Sequence, residues 1–160
     1  IIESPLAVLE MEAIAKHKQI KGLLLGAEDL TKELNINRTL QGQEILYTRS
    51  KMALVCNAYN IESIDTPYTN KDDEDGIYIE ARNARNLGFT SKSSIHPNHV
   101  DAINEVFAPS KEDILQSQRI LKKAETNTKG AFSLDGKMID APIIEKAKKV
   151  IIEAKRYNLL

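Results

Sequence analysis

The chain has one cysteine, Cys56, and no tryptophan. A lone thiol excludes an intrachain disulfide framework, so packing must hold the fold together. Cys56 falls within an apolar helical pattern and reads as a small core residue. No apolar run approaches the roughly 18–20 residues that span a bilayer, and no charged-then-apolar leader opens the chain. An excess of one charge is missing too: 22 Lys and Arg stand against 23 Asp and Glu, for a formal net charge of −1. That leaves no basic face for nucleic acid. What remains is 42% hydrophobic and 28% charged over 160 residues, ordinary usage for a domain with a real core. A cytoplasmic enzyme or module is expected. The opening Ile1-Ile2-Glu3 has no methionine and reads as the end of a buried strand, so a fragment of a longer chain is expected as well.

The strongest local signal is Gly22-Leu23-Leu24-Leu25-Gly26-Ala27-Glu28-Asp29. A short apolar run between glycines suits a buried strand, and it ends in two carboxylates. Before it, Ser4-Pro5 turns the strand end Ile1–Glu3 into a helix that spans Leu6 to about Lys18. After it, Thr31–Thr39 reads as a loop with room for a helical turn, and an amphipathic helix runs from Gly42 to about Tyr59. Ile61–Ile64 is a strand ending in Asp65-Thr66. A helix with an acidic start at Asp72–Asp75 runs to Leu87 and stops at Gly88. Lys92–Pro97 reads as a strand followed by a loop, and Asn98 opens a helix to about Phe107.

Strand and helix thus alternate four times, which implies parallel strands with right-handed crossovers. The strand tips carry Glu3, Glu28 with Asp29, Asp65 with Thr66, and His96, all expected on one face. Beyond Ala108-Pro109-Ser110 the style changes. Lys111–Lys129 is a charged helix, Asp135-Gly136 is a hairpin signal between Gly130–Leu134 and Lys137–Ile139, and Asp140 precedes a helix to about Tyr157. The division is 1–108 and 109–160.

Two carboxylates from successive strand tips, Glu3 and Asp29, can converge on Mg²⁺, which takes one or two protein carboxylates and keeps positions for water and substrate oxygens. Spacing alone equally allows Glu3 as a loop acid and Asp29 as a helix cap. Asp140 has a bland role available as an N-cap. Asp65 and Thr66 suit a strand-end hydrogen bond or a ligand contact. His17 and His99 read as solvated, as does the run Lys71–Asp75, and Arg49 and Arg85 as surface pairs.

Six blocks in order carry a family resemblance: Ile-Glu-Ser at 2–4, Leu-Gly-Ala-Glu-Asp at 25–29, Arg49-Ser50, Ile-Asp-Thr at 64–66, Ile-His-Pro at 95–97, and Leu-Asp-Gly-Lys-Met-Ile-Asp-Ala-Pro at 134–142. Together they resemble the citrate lyase beta subunit and its relatives in the HpcH/HpaI aldolase/citrate lyase family, over essentially the whole chain. The resemblance implies an α/β fold, the (β/α)8 TIM barrel. This chain would be its C-terminal half, about strands 5–8, plus a helix-hairpin-helix extension that covers a neighbouring subunit's active site. It implies Mg²⁺-dependent cleavage of a 3-hydroxyacyl thioester of coenzyme A or acyl carrier protein, to a 2-oxo acid and an acyl thioester.

By residue, the resemblance makes Glu3 and Asp29 the metal ligands, Asp140 the catalytic group, and Glu3, His96 and Pro97 substrate contacts. Glu28 is left as a nearby acid without a ligand's role. A homo-oligomer, trimer or hexamer, within a citrate lyase complex is implied. Citryl thioester cleavage matches the blocks best, and citramalyl-CoA or malyl-CoA cleavage is the alternative within the class. A non-catalytic half-barrel interaction subunit is the alternative outside it. Two departures stand out. The family's substrate-carboxylate arginine and its first four strands belong to an earlier half absent here, and Ser4-Pro5-Leu6-Ala7 replaces a more glycine-rich start beside Glu3.

Overall fold

In the computed structural model, which describes residues 1–127 and 130–160, three short strands carry the first of two compact units, Ile1–Phe107. Strands β1 (Gly22–Leu24), β2 (Glu62–Asp65) and β3 (Ser91–Lys92) lie parallel in the order β1-β2-β3. Leu24 aligns with Ile64, Ile64 with Ser91, and Asp65 with Lys92. The first residues add one parallel bridge, Ile2 to Leu25, with Ile2 N–H donating to Leu24 O at 2.7 Å and Gly26 N–H to Ile2 O at 2.9 Å. The four expected strands are therefore three strands and a bridge. The sheet is open rather than closed into a barrel, since closure of that kind takes eight strands.

Register and alternation sort the side chains. Ile2, Leu23, Leu25, Ser63, Asp65 and Lys92 share one face and are all buried. Gly22, Leu24, Ile64 and Ser91 share the other and are half-buried. The buried face is covered by α4 (Leu46–Tyr59), with Met52, Ala53, Val55 and Cys56 turned inward, and by α5 (Glu74–Leu87), with Ile77, Ala81 and Ala84. Burial pushes the Cys56 thiol up to about 11, so it stays protonated and inert, as a core cysteine should.

Local chemistry sets most boundaries. The Asp73 side chain accepts from Gly76 N–H at 2.9 Å to start α5, and from the Tyr68 hydroxyl at 2.6 Å. The residues Lys71–Asp75 are thus not wholly solvated. Gly88, at φ +100°, ends α5, with Gly88 N–H on Arg85 O and Phe89 N–H on Ala84 O, the paired bonds of a left-handed helix stop. Elsewhere the expected boundaries move. The first helix breaks at Glu10 (φ −87°, ψ 10°) into α1 (Pro5–Leu9) and α2 (Met11–Ala15). The expected loop after β1 begins instead with helix α3 (Ala27–Glu33), which buries Ala27, Leu30 and Thr31. A 3-10 turn over Pro97–His99 leads into α6 (Val100–Phe107).

The second unit, Ala108–Leu160, is α7 (Lys111–Thr126), hairpin β4 (Phe132–Leu134) and β5 (Lys137–Ile139), and α8 (Ala141–Arg156). The last two residues of the expected helix, Thr128 and Lys129, lie outside the described residues. Asp135 (φ 53°) and Gly136 (φ 76°) both take the left-handed conformation, the two-residue turn whose twist matches the strands. The hairpin and helices bury Ile120, Ile139 and Ala147, with Leu121, Phe132, Leu134, Ile143 and Ile144 packed around them.

Candidate metal and active site

The four acids at or just beyond the strand tips have different fates. Asp65 is fully buried and turned to the helix-covered face. Arg49 of α4 grips it with Nε to Oδ1 at 3.0 Å and Nη2 to Oδ2 at 2.7 Å. Lys92 Nζ donates to Asp65 Oδ2 at 2.8 Å and to Thr66 O. Glu80 of α5 completes the group through ion pairs with Lys92 and, at 3.9 Å, with Arg49. Asp65 is therefore not on the open face with the other tip acids, and Arg49 makes no surface pair. Arg85 remains on the surface and reaches the carbonyl of Val106.

Glu28 and Asp29 are not strand-end residues but occupy the first turn of α3, where the helix dipole favours acids. The cap position falls to Gly26, three residues before Asp29. Glu28 pairs with Arg38, Nε to Oε1 at 3.1 Å. Arg38 also meets Glu44 and donates to Thr39 O at 3.2 Å. Burial pushes the Glu44 carboxyl up, but hydrogen bonds from the Thr39 hydroxyl and N–H, its own N–H and Arg38 outweigh that and hold it at about 2. Glu44 is thus a permanent anion that anchors Arg38.

Glu3 and Asp29 are left uncommitted. Both are exposed, and among the described residues neither forms an ion pair or side-chain hydrogen bond. Glu3 lies directly on Gly26: a Cβ added there would stand 2.7 Å from Glu3 Cβ and 2.9 Å from its Oε2. The missing side chain at Gly26 is the space the Glu3 carboxylate uses, at the cap of the helix that carries Asp29. No group of three or more His, Cys, Asp or Glu suited to a metal occurs among the described residues. Two free carboxylates fit Mg²⁺, which needs one or two and keeps its waters, better than an ion demanding a full protein cage. Gly26→Ala should push Glu3 aside, at a packing cost of about 1–3 kcal/mol, and would weaken Mg²⁺ binding if Glu3 is a ligand. Calorimetric Mg²⁺ titration beside a thermal melt checks this, and an unchanged affinity would separate Glu3 from the metal.

On β3's side, His96 is half-buried, and its Nδ1 accepts from Asn98 N–H at 3.3 Å, which puts the ring proton on Nε2. Pro97 is exposed at the first position of the 3-10 turn. His99 is not solvated: it is 1% exposed, its ring 5.9 Å from Tyr68 and 6.3 Å from His96, with neither ring nitrogen hydrogen-bonded. The Thr66 hydroxyl is likewise buried without a partner. Tyr68 is pushed up to about 12, first by its hydrogen bond to the Asp73 carboxylate and then by burial, and stays a neutral donor. A cavity of about 130 Å³ lies between the loop after α3 and the segment after β2, with Arg38, Tyr68 and Glu80 in its wall.

In the second unit, Asp140 is half-buried and caps α8, accepting from Ile143 N–H at 3.4 Å. That bond is long, so the carboxylate is only lightly engaged. Sequence reasoning passed over Arg38, Glu44, Glu80 and Lys92 and placed Arg49 and His99 on the surface. Arg49, Glu80 and His99 all keep step with apolar helical stripes, a signal that was available.

Fold and site together define a parallel α/β unit with an uncommitted acid pair at one end of its sheet. The HpcH/HpaI aldolase/citrate lyase family profile matches residues 1–97. The citrate lyase subunit beta of Haemophilus influenzae is 40% identical over 158 residues, 96% of this chain and 54% of that protein. The mitochondrial citramalyl-CoA lyase of Rattus norvegicus is 32% identical over 135 residues, 82% of this chain and 40% of that protein. The crystal structure of protein CitE from Mycobacterium tuberculosis, in complex with magnesium, acetoacetate and coenzyme A, superposes with a TM-score of 0.79 at 26% identity, over 95% of this chain and 58% of that one. The chain belongs to the HpcH/HpaI aldolase/citrate lyase family. It spans about half the length of the relatives it matches.

Proposed function

We propose that this chain carries the metal-binding and proton-transfer residues of a Mg²⁺-dependent carbon–carbon lyase. Its substrate would be a 3-hydroxyacyl thioester, a citryl thioester of acyl carrier protein or coenzyme A, cleaved to oxaloacetate and an acetyl thioester. The observation that carries the reading is the pair of uncommitted carboxylates, Glu3 over Gly26 and Asp29 in the following turn, in a chain 40% identical to a citrate lyase beta subunit. Glu3 and Asp29 would hold the ion, which when bound supplies a Lewis-acid contact for the oxygens of the 2-oxo-acid half.

The remaining chemistry falls to the protein. Cleavage turns the substrate hydroxyl into a carbonyl and leaves the thioester half as an enolate. Asp140 accepts the hydroxyl proton as general base and returns it to the enolate carbon as general acid. Closure of the extension over a neighbouring subunit's site would exclude water from the enolate, within a homo-oligomer, trimer or hexamer, that can be part of a citrate lyase complex. The backbone at His96 and Pro97 is suited to contact the thioester arm. Among the described residues no helix is long and apolar enough to cross a membrane, and a cytoplasmic setting belongs to this reading. Activity requires a chain that also supplies the remaining barrel strands.

The in-class alternative, citramalyl-CoA cleavage, draws on the 32% identity to the rat enzyme. A non-catalytic half-barrel interaction subunit is the alternative outside the class. Release of 2-oxo acid from citryl and citramalyl thioesters by a chain that also supplies the remaining barrel strands, titrated with Mg²⁺, separates all three. Asp29→Asn should remove the metal-dependent rate. Equal behaviour of parent and Asp29→Asn across the titration would sink the lyase reading in favour of the interaction subunit.

A further inference from the structure

Glu28 and Asp29 are adjacent acids on one helical turn, yet only Asp29 is free. Arg38 holds Glu28 through Nε at 3.1 Å. Its other contacts do not depend on Glu28: Nη1 meets Glu44 and donates to Thr39 O at 3.2 Å. Glu44 is fixed in turn by Thr39, through its N–H at 3.0 Å and its hydroxyl at 2.7 Å. Arg38 is a pre-set anchor, its side chain 19% exposed, for a Glu28 side chain that is 54% exposed. A pair that exposed adds little to stability, so stability does not account for it. What it changes is the number of free carboxylates beside Gly26.

We propose that Arg38 is a positioning residue that sets metal selectivity, by holding Glu28 out of the coordination sphere offered by Glu3 and Asp29. The inference rests on the reading of Glu3 and Asp29 as the metal pair. Mg²⁺ accepts one or two carboxylates and retains its waters in a tight octahedron, whereas Ca²⁺ takes six to eight oxygens in flexible geometry. Glu28 is one residue from Asp29, about 100° round the helix, on the longer side chain of the two. Released from Arg38, it becomes a third mobile carboxylate, and a site with three such groups favours Ca²⁺.

The test measures Mg²⁺ and Ca²⁺ affinities on the full chain without substrate, by competition against Mn²⁺ followed by its electron paramagnetic resonance signal. Arg38→Gln should lower the Mg²⁺-to-Ca²⁺ preference by about fivefold or more. Glu28→Gln alone should leave it unchanged, and the Arg38→Gln/Glu28→Gln double variant should restore the parent ratio. A merely structural arginine would not be rescued by removing Glu28. An unchanged ratio in Arg38→Gln, or a changed one that the double variant keeps, overturns the inference. If Arg38→Gln fails to fold, Arg38→Lys carries the test, because a single ammonium held by Glu44 lacks the separate Nε donor that reaches Glu28. It should show the same fall, and an unchanged ratio there is equally decisive. Asp29→Asn separates the two levels: if it binds Mn²⁺ like the parent, the metal pair itself is wrong. If it loses Mn²⁺ while Arg38 variants keep the parent ratio, only the role of Arg38 fails.

Discussion

If Asp140 is the proton carrier of the proposed lyase, Asp140→Asn in a chain that also supplies the remaining barrel strands should lower kcat for thioester cleavage by about 10²–10⁴-fold, the range expected when a positioned general acid–base group is lost, while leaving α8 in place. The two roles open to Asp140 can be separated because asparagine and aspartate are near-equal N-caps. The amide oxygen can still accept from Ile143 N–H, the 3.4 Å bond that caps α8, but an amide cannot take a proton from the substrate and return it. Losing the charge at the helix start costs about 0.3–1 kcal/mol, too little to unfold a helix whose Ile143, Ile144 and Ala147 pack on the hairpin. Asp140→Ala would remove both roles, adding about 0.5–2 kcal/mol for the lost cap. The measurement pairs kcat at saturating Mg²⁺ with a circular-dichroism melt. If Asp140→Asn keeps the parent kcat while Asp140→Ala melts early, the residue is a cap and nothing more, and the proton carrier must be sought elsewhere.

How far the sequence foretold this structure depends on whether the deciding interactions are local. The stop of α5 at Gly88, the turn at Asp135-Gly136 and the cap at Asp140 are written in a few adjacent residues, and each is found where expected. The Leu23–Leu25 strand was legible for the same reason, glycine on either side of an apolar run. Helix α3 was legible only as a cap option at Asp29 and a turn in the following loop: it has seven residues and buries only Ala27, Leu30 and Thr31, too short a stripe to stand out from a polar loop. The buried charges were misread because charge was weighed above phase. Arg49 precedes Met52, Ala53 and Cys56 by three, four and seven positions. Glu80 lies three positions after Ile77 and four before Ala84, and His99 leads Ala102, Ile103 and Val106 by three, four and seven. Each is buried with its stripe. What phase alone does not reveal is that Arg49 and Glu80 converge on one partner set, because Asp65 and Lys92 arrive from strands two and three of the sheet. That convergence is a product of register, and register is a tertiary fact. Closure of a barrel is likewise not written in strands of two to four residues.

The same convergence yields the largest stability effect. Asp65→Asn should destabilise the first unit by about 3–5 kcal/mol, the cost of breaking a buried ion pair from one side. Arg49, Lys92, Asp65 and Glu80 balance as two cations and two anions, with side-chain exposures of 5%, 0%, 0% and 11%. Asparagine preserves the shape of Asp65 but leaves two buried cations facing Glu80 alone, whose Oε2 meets Lys92 out of line for a hydrogen bond. Arg49 also loses a two-pronged charge-assisted contact, among the stronger hydrogen bonds available to a protein. Against a typical domain stability of about 5–15 kcal/mol, this is a large fraction, and it should appear as a lower urea midpoint with an unchanged slope. Asp72→Asn is the control, because its pair with Lys71 is 59% and 73% exposed and should shift stability by about 0–1 kcal/mol. Lys92→Met tests the balance from the other side, stranding Glu80. Adding Glu80→Leu removes one charge of each sign, leaves the Arg49–Asp65 pair whole, and should recover much of the loss, a positive coupling in a double-mutant cycle. If Asp65→Asn costs no more than Asp72→Asn, water reaches the quartet and screens it, and the tips of β2 and β3 are not tied by buried charge.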